Sequence, residues 1–310
     1  MNKFYTIIEG ELAIAGVGVG WVTDQGKGTG VTVVVVPPGS NGAVDISGGA
    51  PATRETPVLD PQNLVPGPDA IVLTGGSALG LQTADGVIKA LQQKGRGFAV
   101  GNEIVPIVVA AAIFDLDFGL ADPPTVADGF TAAVQTCQPG GVVAEGSSGA
   151  GTGATVGKSL GLEHRMKSGQ GAVTLITPDG LHIAALVVVN AVGSVLEQDG
   201  TVLAGPIVNG SPTRTMDLWS HTPLGGQTGG ATTLGIVMAN VQLTKAELVR
   251  VARMAQDGLP RAIDPVHTPW DGDTMFAVSA GKRVEDPGRV GALSAHAVTL
   301  AIRRAVRAAK

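Results

Sequence analysis

The fold of this chain is most constrained by a series of short runs, rich in β-branched and aliphatic residues, that are apolar at consecutive positions. The runs are Val31–Val36, Ala70–Leu73, Ala172–Ile176, His182–Val189 and Leu234–Met238, and Gly, Pro or Asp directly flanks each of the first three. Short runs of this composition are typical of β-strands. Strict alternation would leave one face of a sheet to water, whereas consecutive apolar residues predict sheets that are covered on both faces.

Predicted helices lie between these strands and after them. The pattern Thr244-x-x-Glu247 is a capping box, and apolar side chains recur on one helical face after it. We predict two further helices over about Ala84–Gln93 and Val290–Ala309. Because strands and helices interleave, the chain is predicted to be an α/β protein of stacked layers. Its 46 glycines and 3% aromatic residues indicate small side chains and close packing of the backbone.

Charge and cysteine content limit the partners and the compartment. With 21 basic and 26 acidic residues the net charge is −5, which argues against nucleic acid as a partner. The lone Cys137 excludes an intrachain disulfide and a thiolate metal site. One basic concentration is predicted to be the solvated face of the last helix, and it consists of Arg303, Arg304, Arg307 and Lys310.

The chain shows no pattern of a signal peptide or a membrane span. Its most apolar stretch, Ile104–Phe114, is about half the length of a span and is predicted to be a buried element. We therefore expect a soluble, cytoplasmic protein with no membrane partner.

Several common catalytic motifs are incomplete. Gly153–Ser159 resembles a phosphate-binding loop, but three residues rather than four separate its glycines. Gly149–Ala154 matches a loose dinucleotide fingerprint without the acidic residue that should follow. Ser77 follows a strand as a nucleophile elbow would, yet Leu79 replaces the second glycine, so a tight strand-to-helix turn is predicted. The five histidines lack zinc-site spacing, and no metal site is expected.

One arrangement of chemical interest remains, at the start of a buried strand. The stretch from Ile207 to Gly230 has little regular pattern and ends in glycines, and Ala231 and Thr232 then lead into the strand. If the chain were cut before Thr232, the new α-amine would act as the base for the threonine hydroxyl. The alternative is a threonine that begins a strand because of its β-propensity.

Longer motifs give the chain a resemblance to a known family. They are Ala231–Val237, Asn240–Leu248 and His267–Val278, with further matches at Gly75–Gly80 and Gly149–Lys158. Together they resemble the DmpA/NylC family of self-processing N-terminal-nucleophile aminopeptidases and 6-aminohexanoate-oligomer (nylon oligomer) hydrolases. The resemblance implies one catalytic domain over residues 1–310, with stacked αββα layers and mixed sheets, similar to the ornithine-acetyltransferase fold.

The same resemblance implies a set of site residues. Thr232 matches the nucleophile, Lys158 the active-site lysine of the nylon-hydrolase branch, and Asn190 an asparagine that polarises the scissile carbonyl. Asp271 and Asp273 match two carboxylates near the nucleophile, where aminopeptidase members tend to have Ser and Glu. Considered alone, Lys158 would be a solvated loop lysine and Asn190 a strand-end residue, and the two aspartates would form a turn before a strand.

Two positions depart from the nylon-hydrolase pattern. Ala231 stands where that branch usually has Asn, which bears on the rate of self-cleavage. Phe114 stands where it has an active-site Tyr, so a hydroxyl that could hold substrate or an oxyanion is missing. Phe114 and Thr233 are the residues expected to contact the substrate.

The resemblance implies an amide hydrolase that cuts itself into residues 1–231 and 232–310. Its expected substrates are linear amides such as 6-aminohexanoate oligomers, amino-acid amides and peptides, and it would need no metal or organic cofactor. Family members form homo-oligomers, with a tetramer favoured. Two alternatives stay open: an acyl transferase of the ornithine-acetyltransferase type, and a non-catalytic binding or scaffold protein, which Ala231 and Phe114 would support.

Overall fold

Two central β-sheets form the middle of the computed structural model, which describes residues 4–136, 141–221 and 230–309. Their eleven strands, in chain order, are β1 (Thr6–Glu9), β2 (Gly18–Asp24), β3 (Thr29–Val35), β4 (Asn41–Ile46), β5 (Thr53–Arg54), β6 (Ala70–Thr74), β7 (Val108–Ala112), β8 (Gln170–Ile176), β9 (His182–Asn190), β10 (Thr232–Val241) and β11 (Thr274–Arg283). The six-stranded sheet has the order β1-β8-β9-β10-β11-β4, and the five-stranded sheet has the order β2-β3-β6-β7-β5. Both sheets are mixed, because β10 with β11 and β6 with β7 pair in parallel while the other neighbours are antiparallel.

Four long helices cover the outer faces of the two sheets. They are α1 (Thr83–Gln93), α2 (Val126–Gln135), α3 (Lys245–Gln256) and α4 (Pro287–Arg307). Two shorter helices span Ser77–Gly80 and Thr215–Trp219. Small pairs and a triplet of short strands lie outside the sheets, at Phe98–Val100, Glu103–Val105, Thr155–Val156, Met166–Lys167, Ser194–Leu196, Val202–Ala204, Ile207–Val208, Ser211–Pro212 and Ile263–Asp264.

Three hydrophobic cores separate four layers. The first core lies between the two sheets and includes Leu73 from β6 and Phe276 from β11, both fully buried. The second joins the six-stranded sheet to α3 and α4 and includes Ile302. The third joins the five-stranded sheet to α1 and α2 and includes Val87. The layer order is therefore helix, sheet, sheet, helix, which confirms the predicted stacked αββα architecture.

The predicted strands and helices are present with small differences at their ends. All five runs are strands, and none of their ends differs by more than three residues from the prediction. The capping box of α3 is formed in both directions, since the Thr244 hydroxyl accepts from the Glu247 amide and the Glu247 carboxylate accepts from the Thr244 amide. The last helix begins earlier than predicted because Pro287 fits its first position and Asp286 caps it.

Two expectations were wrong in part. The stretch Ile104–Phe114 is not one buried element: Ile104 and Val105 are exposed on a short hairpin, whereas the strand β7 and the following Ile113 are buried. Arg303 is not on a solvated face, because its guanidinium is buried and donates to the backbone oxygens of Leu196 and Arg261.

Other expectations concern segments only partly within the described residues. The stretch Ile207–Gly230, in which the sequence shows little regular pattern, contains a hairpin and a short helix. The hairpin is formed by Ile207–Val208 and Ser211–Pro212, and the helix spans Thr215–Trp219. Cys137, Lys310 and the glycines of Gly225–Gly229 lie outside the described residues. In the described ranges, no helix is long and apolar enough to cross a membrane.

Two glycines allow α1 and α2 to cross closely, which gives a stability prediction. A Cβ atom at Gly86 would lie 1.9 Å from the Val126 oxygen, and one at Gly129 would lie 2.0 Å from the Thr83 oxygen. We expect Gly86→Ala to lower the free energy of unfolding by about 1–3 kcal/mol through overpacking. In an exposed helix the same substitution would instead stabilise the protein by about 1 kcal/mol, because alanine has the higher helix propensity. Urea denaturation measures the change.

The control is Gln92→Ala at an exposed position of α1, which should change the free energy of unfolding by no more than about 0.5 kcal/mol. A Gly86→Ala protein of equal or higher stability than the unaltered protein would contradict the close crossing.

Candidate active site

Three strand ends meet at one edge of the six-stranded sheet. Asn190 ends β9 and lies opposite Thr232, the first residue of the antiparallel β10. The parallel strand β11 begins at Thr274, which pairs with Leu234 of β10. The residues before β11 therefore lie beside the start of β10, where Ala231 forms a bridge with Asp271. Strand pairing thus brings distant parts of the sequence to one place.

Thr232 lies at the centre of this edge, in contact with the peptide bond that precedes it. Its side chain is buried, and its hydroxyl donates a hydrogen bond to the Ala231 carbonyl oxygen. The backbone N–H of Gly272 donates to the same oxygen at 3.0 Å. A Cβ atom at Gly272 would lie 2.7 Å from the Thr232 hydroxyl oxygen, so this approach requires glycine.

Lys158 reaches the site from the end of the glycine-rich loop. The preceding Gly157 has a φ of +73°, and a Cβ atom there would lie 2.2 Å from the nitrogen of Pro206, so only glycine fits. The Lys158 Nζ donates to the Asn190 side-chain oxygen at 2.7 Å, the Asn190 backbone oxygen at 3.2 Å and the Gly230 oxygen at 2.5 Å. Lys158 is buried, which excludes a solvated loop lysine.

Asn190 connects the glycine-rich loop, the segment before Thr232 and the end of β7. Its side-chain oxygen accepts from the Thr155 amide at 3.0 Å as well as from Lys158. Its Nδ2 donates to the Phe114 backbone oxygen at 2.8 Å and to the Gly230 oxygen at 3.4 Å. Every polar atom of the Asn190 side chain therefore has a partner.

The carboxylates of Asp271 and Asp273 are buried and accept hydrogen bonds from the surrounding loop. Asp273 accepts from the Thr233 amide at 2.7 Å, and its other oxygen lies 2.9 Å from the His267 Nδ1. Asp271 accepts from the Thr268 hydroxyl at 2.5 Å and the Thr268 amide at 3.0 Å. The loop therefore fixes both carboxylates beside the start of β10.

Burial moves the pKa values of two site groups towards neutral pH. It lowers the pKa of Lys158 to about 7, although the charges of Asp117 and Asp271 oppose the shift. Burial, followed by the charge of Asp273, raises the pKa of Asp271 to about 6, although hydrogen bonds from Thr268 oppose it. Groups that titrate near neutral pH are suited to proton transfer.

The two expected substrate contacts are also at this edge. The ring of Phe114 lies beside Gly230, where a Cβ atom would be 3.3 Å from the ring, and its backbone oxygen holds Asn190. Thr233 is buried and follows Thr232 on β10. The structure thus brings together every site residue that the sequence indicated: Thr232, Lys158, Asn190, Asp271, Asp273, Ala231, Phe114 and Thr233.

Three further residues support the site and were not singled out from the sequence. His267 and Thr268 hold the two aspartates, and their only signal was their place at the start of the motif His267–Val278. The buried Asp115 accepts from the Gly76 amide at 2.6 Å and the Thr29 hydroxyl at 2.8 Å. It fixes the strand-to-helix turn at Ser77 beside the glycine-rich loop.

The architecture is that of the N-terminal-nucleophile hydrolases. The L-aminopeptidase D-Ala-esterase/amidase of Ochrobactrum anthropi, described as a variant of this fold, superposes with a TM-score of 0.69 over 98% of this chain and 88% of that chain, at 19% identity. A beta-aminopeptidase of Burkholderia sp. superposes with a TM-score of 0.68 over 94% and 84% of the two chains, at 20% identity. These likenesses show the fold.

The chain belongs to peptidase family S58, whose model matches residues 12–310. An uncharacterized aminopeptidase of Mycobacterium tuberculosis is 40% identical over 278 residues, which cover 86% of this chain and 76% of the relative. The 6-aminohexanoate-oligomer endohydrolase of Paenarthrobacter ureafaciens is 32% identical over 274 residues, which cover 85% and 73%. The protein is therefore a hydrolase of this family.

The hydrogen bond from Thr268 to Asp271 gives a prediction of pH-dependent stability. Because this bond favours the ionised carboxyl, its removal costs most above the Asp271 pKa of about 6. We expect Thr268→Val to lower the free energy of unfolding by about 1.5–3 kcal/mol at pH 8 and by about 1 kcal/mol at pH 5, where Asp271 is protonated. Thermal unfolding at both pH values measures this difference.

A matched control is Thr299→Val, which removes a buried hydroxyl that donates to the carbonyl oxygens of Gly258 and Ala295. Because no carboxylate is involved, its cost should be the same at both pH values. An equal cost of Thr268→Val at pH 5 and pH 8 would contradict the assignment of Asp271 as a group that titrates between them.

Proposed function

We propose that this hydrolase cuts amide bonds with the hydroxyl of Thr232, after it has cleaved its own Ala231–Thr232 bond. The products of self-cleavage are residues 1–231 and 232–310 of one catalytic domain. The observation that carries the proposal is the contact of the Thr232 hydroxyl with the carbonyl of that bond, while the Gly272 amide donates to the same oxygen. The Gly272 N–H polarises this buried carbonyl for attack, and the hydroxyl contact holds Thr232 beside the bond that it cuts.

Self-cleavage begins when the Thr232 oxygen attacks the Ala231 carbonyl carbon. The negative charge develops on the oxygen that faces the Gly272 N–H. The C–N bond then breaks, the hydroxyl proton passes to the leaving nitrogen, and the Ala231 acyl group remains on Thr232 as an ester. Water hydrolyses the ester to a carboxylate on Ala231, a free hydroxyl and a free α-amine on Thr232.

Lys158 is suited to carry the proton during this step. Its Nζ contacts the Gly230 carbonyl, two residues before Thr232, and its pKa of about 7 allows the amine to accept and return a proton near neutral pH.

Self-cleavage needs no particular side chain at position 231, because the hydrogen bonds from the Thr232 hydroxyl and the Gly272 amide both reach the backbone oxygen of Ala231. Ala231 is therefore compatible with the reaction.

Turnover uses the groups that self-cleavage exposes. The neutral Thr232 amine accepts the proton of its own hydroxyl while the oxygen attacks the substrate carbonyl, and the proton then passes to the leaving amine. A nearby Lys158 cation lowers the pKa of that amine. When Gly230 moves away, the Asn190 Nδ2 that contacts its carbonyl can donate to the substrate oxyanion, which is worth about 10²–10³ in rate.

The proposed substrates are linear amides, namely 6-aminohexanoate oligomers, amino-acid amides and short peptides. Two relatives carry the names aminopeptidase and 6-aminohexanoate-oligomer endohydrolase. Aspartates at both carboxylate positions favour the nylon-oligomer branch. Phe114 lacks the tyrosine hydroxyl of that branch, but its backbone oxygen still orients Asn190 at 2.8 Å.

Substitutions of Thr232 test the nucleophile. Thr232→Val replaces the hydroxyl with a methyl group of similar size, so we expect a folded chain that stays at 31.0 kDa. We expect it to lose hydrolysis of 6-aminohexanoate oligomers and amino-acid amides by at least about 10³-fold. Thr232→Ser keeps a hydroxyl and should retain cleavage and activity. Gel electrophoresis and chromatography of the products measure both.

Thr299→Val is the control for loss of a buried threonine hydroxyl and should cleave and hydrolyse like the unaltered protein. Amide hydrolysis by Thr232→Val at the unaltered rate would refute Thr232 as nucleophile. An assay with N-acetylornithine and glutamate tests the transferase alternative, because a transferase would form N-acetylglutamate.

A further inference from the structure

A second lysine, Lys167, holds the backbone of the glycine-rich loop that leads to Lys158. Its Nζ donates to the backbone oxygens of Gly151 at 3.1 Å and Ala154 at 2.9 Å, and also to that of Ser168. A lysine amine has three N–H donors, so these three oxygens use all of them. Hydrogen bonds from a charged donor are roughly twice as strong as neutral ones.

An aromatic ring and burial reduce the contact of this amine with water. The Lys167 Nζ lies 5.3 Å from the centroid of the Phe118 ring. Burial lowers the pKa of Lys167 to about 8, although the charge of Asp115 opposes the shift. At pH 7 the amine is therefore still a cation, and the low polarity around it strengthens its hydrogen bonds to the loop.

One of the three oxygens belongs to the peptide group that contacts Asn190. The carbonyl of Ala154 and the N–H of Thr155 form this group. Its oxygen accepts from Lys167 and, at 3.0 Å, from the Ser168 amide, while its N–H donates to the Asn190 side-chain oxygen at 3.0 Å. Because a peptide group is planar, fixing its oxygen also fixes the direction of its N–H. Lys167 is thus connected to Asn190 through one rigid group.

The loop itself does little to fix the orientation of this peptide group. Gly153 directly precedes it, and a Cβ atom at Gly153 would lie 2.3 Å from the Gly28 oxygen, so close packing requires glycine there. Glycine restricts the backbone least of all residues. The orientation therefore depends on hydrogen bonds from outside the loop, which Lys167 and Ser168 supply.

The Thr155 N–H in turn specifies which way the Asn190 amide points. A rotation of the amide by half a turn would bring its Nδ2 to the Thr155 N–H, donor against donor. Lys158 also contacts the Asn190 oxygen, but a lysine amine that has lost its proton can accept as well as donate. A backbone N–H only donates. Thr155 therefore keeps the Nδ2 directed towards the Phe114 and Gly230 oxygens whatever the charge of Lys158.

We propose that Lys167 is a positioning residue that acts through the Ala154–Thr155 peptide group and directs the Asn190 Nδ2 towards the substrate oxyanion. This inference rests on the proposed function, in which Asn190 is an oxyanion donor. An oxyanion donor acts in the transition state, so loss of its orientation lowers kcat and leaves KM unchanged.

The test is Lys167→Met, which removes the three donors and keeps a side chain of similar length. The variant is assayed at pH 7, after mass spectrometry shows that it is cleaved before Thr232. We expect kcat for amide hydrolysis to fall about 10-fold with KM unchanged. The loss should be smaller than the about 10²–10³-fold effect of an oxyanion donor, because the Ser168 amide still holds the Ala154 oxygen.

The chain offers a matched control in Lys245→Met. The Lys245 Nζ also donates to three backbone oxygens, those of Val58, Asn63 and Val65. Its loss should lower the urea midpoint of unfolding as Lys167→Met does, because both remove charged hydrogen bonds to the backbone. Lys245→Met should leave kcat unchanged, which separates positioning from a general loss of stability.

A double-mutant cycle tests whether Lys167 acts through Asn190. Asn190→Asp keeps the oxygen that accepts from Thr155 and Lys158 but removes the Nδ2 donor. In the Asn190→Asp background there is no donor left to direct, so Lys167→Met should change kcat by less than about twofold. A loosened loop without this connection would cost the same 10-fold, about 1.4 kcal/mol, in both backgrounds.

The orientation of Asn190 is also measured without activity, by ¹⁵N NMR of side-chain amides in Thr232→Val, with the Asn190 signal assigned from Asn190→Asp. Addition of Lys167→Met should shift this signal, and addition of Lys245→Met should not. Should Lys167→Met fail to fold, Lys167→Gln, which keeps an uncharged donor, takes its place in both experiments.

The proposal is overturned if the loss in kcat persists in the Asn190→Asp background, or if Lys167→Met leaves kcat and the Asn190 signal in place. Failure of the proposed function gives a different result. Amide hydrolysis by Asn190→Asp at the unaltered rate would refute Asn190 as oxyanion donor, whereas the NMR comparison would still decide whether Lys167 orients Asn190.

Discussion

The parallel pairing of β10 and β11 within an otherwise antiparallel sheet is the constraint on which the site depends. Parallel strands begin at the same edge of a sheet, so the Ala231–Thr232 bond and the Asp271–Asp273 loop must lie together. The antiparallel β9 ends at that same edge and adds Asn190. Lys158 therefore meets the other site residues at this one edge, where its Nζ contacts Asn190 and Gly230. Gly157, directly before it, allows the backbone turn that directs Lys158 there. Because two sheets and four helices cover these strands, the whole site is formed inside a protein core.

Burial of charge in this core is costly, and it also makes the chemistry possible. Lys158 is 7% exposed, and Asp271 and Asp273 are 1% exposed. Unpaired ions at this depth would destabilise the fold strongly, so each has hydrogen-bond partners from the backbone or from neighbouring side chains. The same low polarity brings the pKa of Lys158 and that of Asp271 close to neutral pH. Small residues make the arrangement possible: a Cβ atom at position 272 would lie only 2.7 Å from the Thr232 hydroxyl oxygen, so the close approach needs glycine there.

Local sequence patterns predicted the elements and most of the site, but not how the elements are arranged. The runs of β-branched residues and the capping box at Thr244 depend on short-range physics and are present as predicted. The site residues followed from motif resemblance, and strand pairing explains why they meet. Arg303 was misjudged because its partners, Leu196 and Arg261, are distant in sequence. The support from His267 was missed because a lone histidine carries no signal until the fold brings a carboxylate to its ring.

The central claim is that the chain exposes Thr232 as a new N-terminus. Mass spectrometry of the purified chain after prolonged incubation, combined with N-terminal sequencing, tests it most directly. In proportion to length, a 31.0 kDa chain of 310 residues should yield fragments of about 23 and 8 kDa, and the smaller should begin Thr-Thr-Leu-Gly. A chain that remains at 31.0 kDa while it hydrolyses amides, or a new N-terminus at another position, would contradict the account.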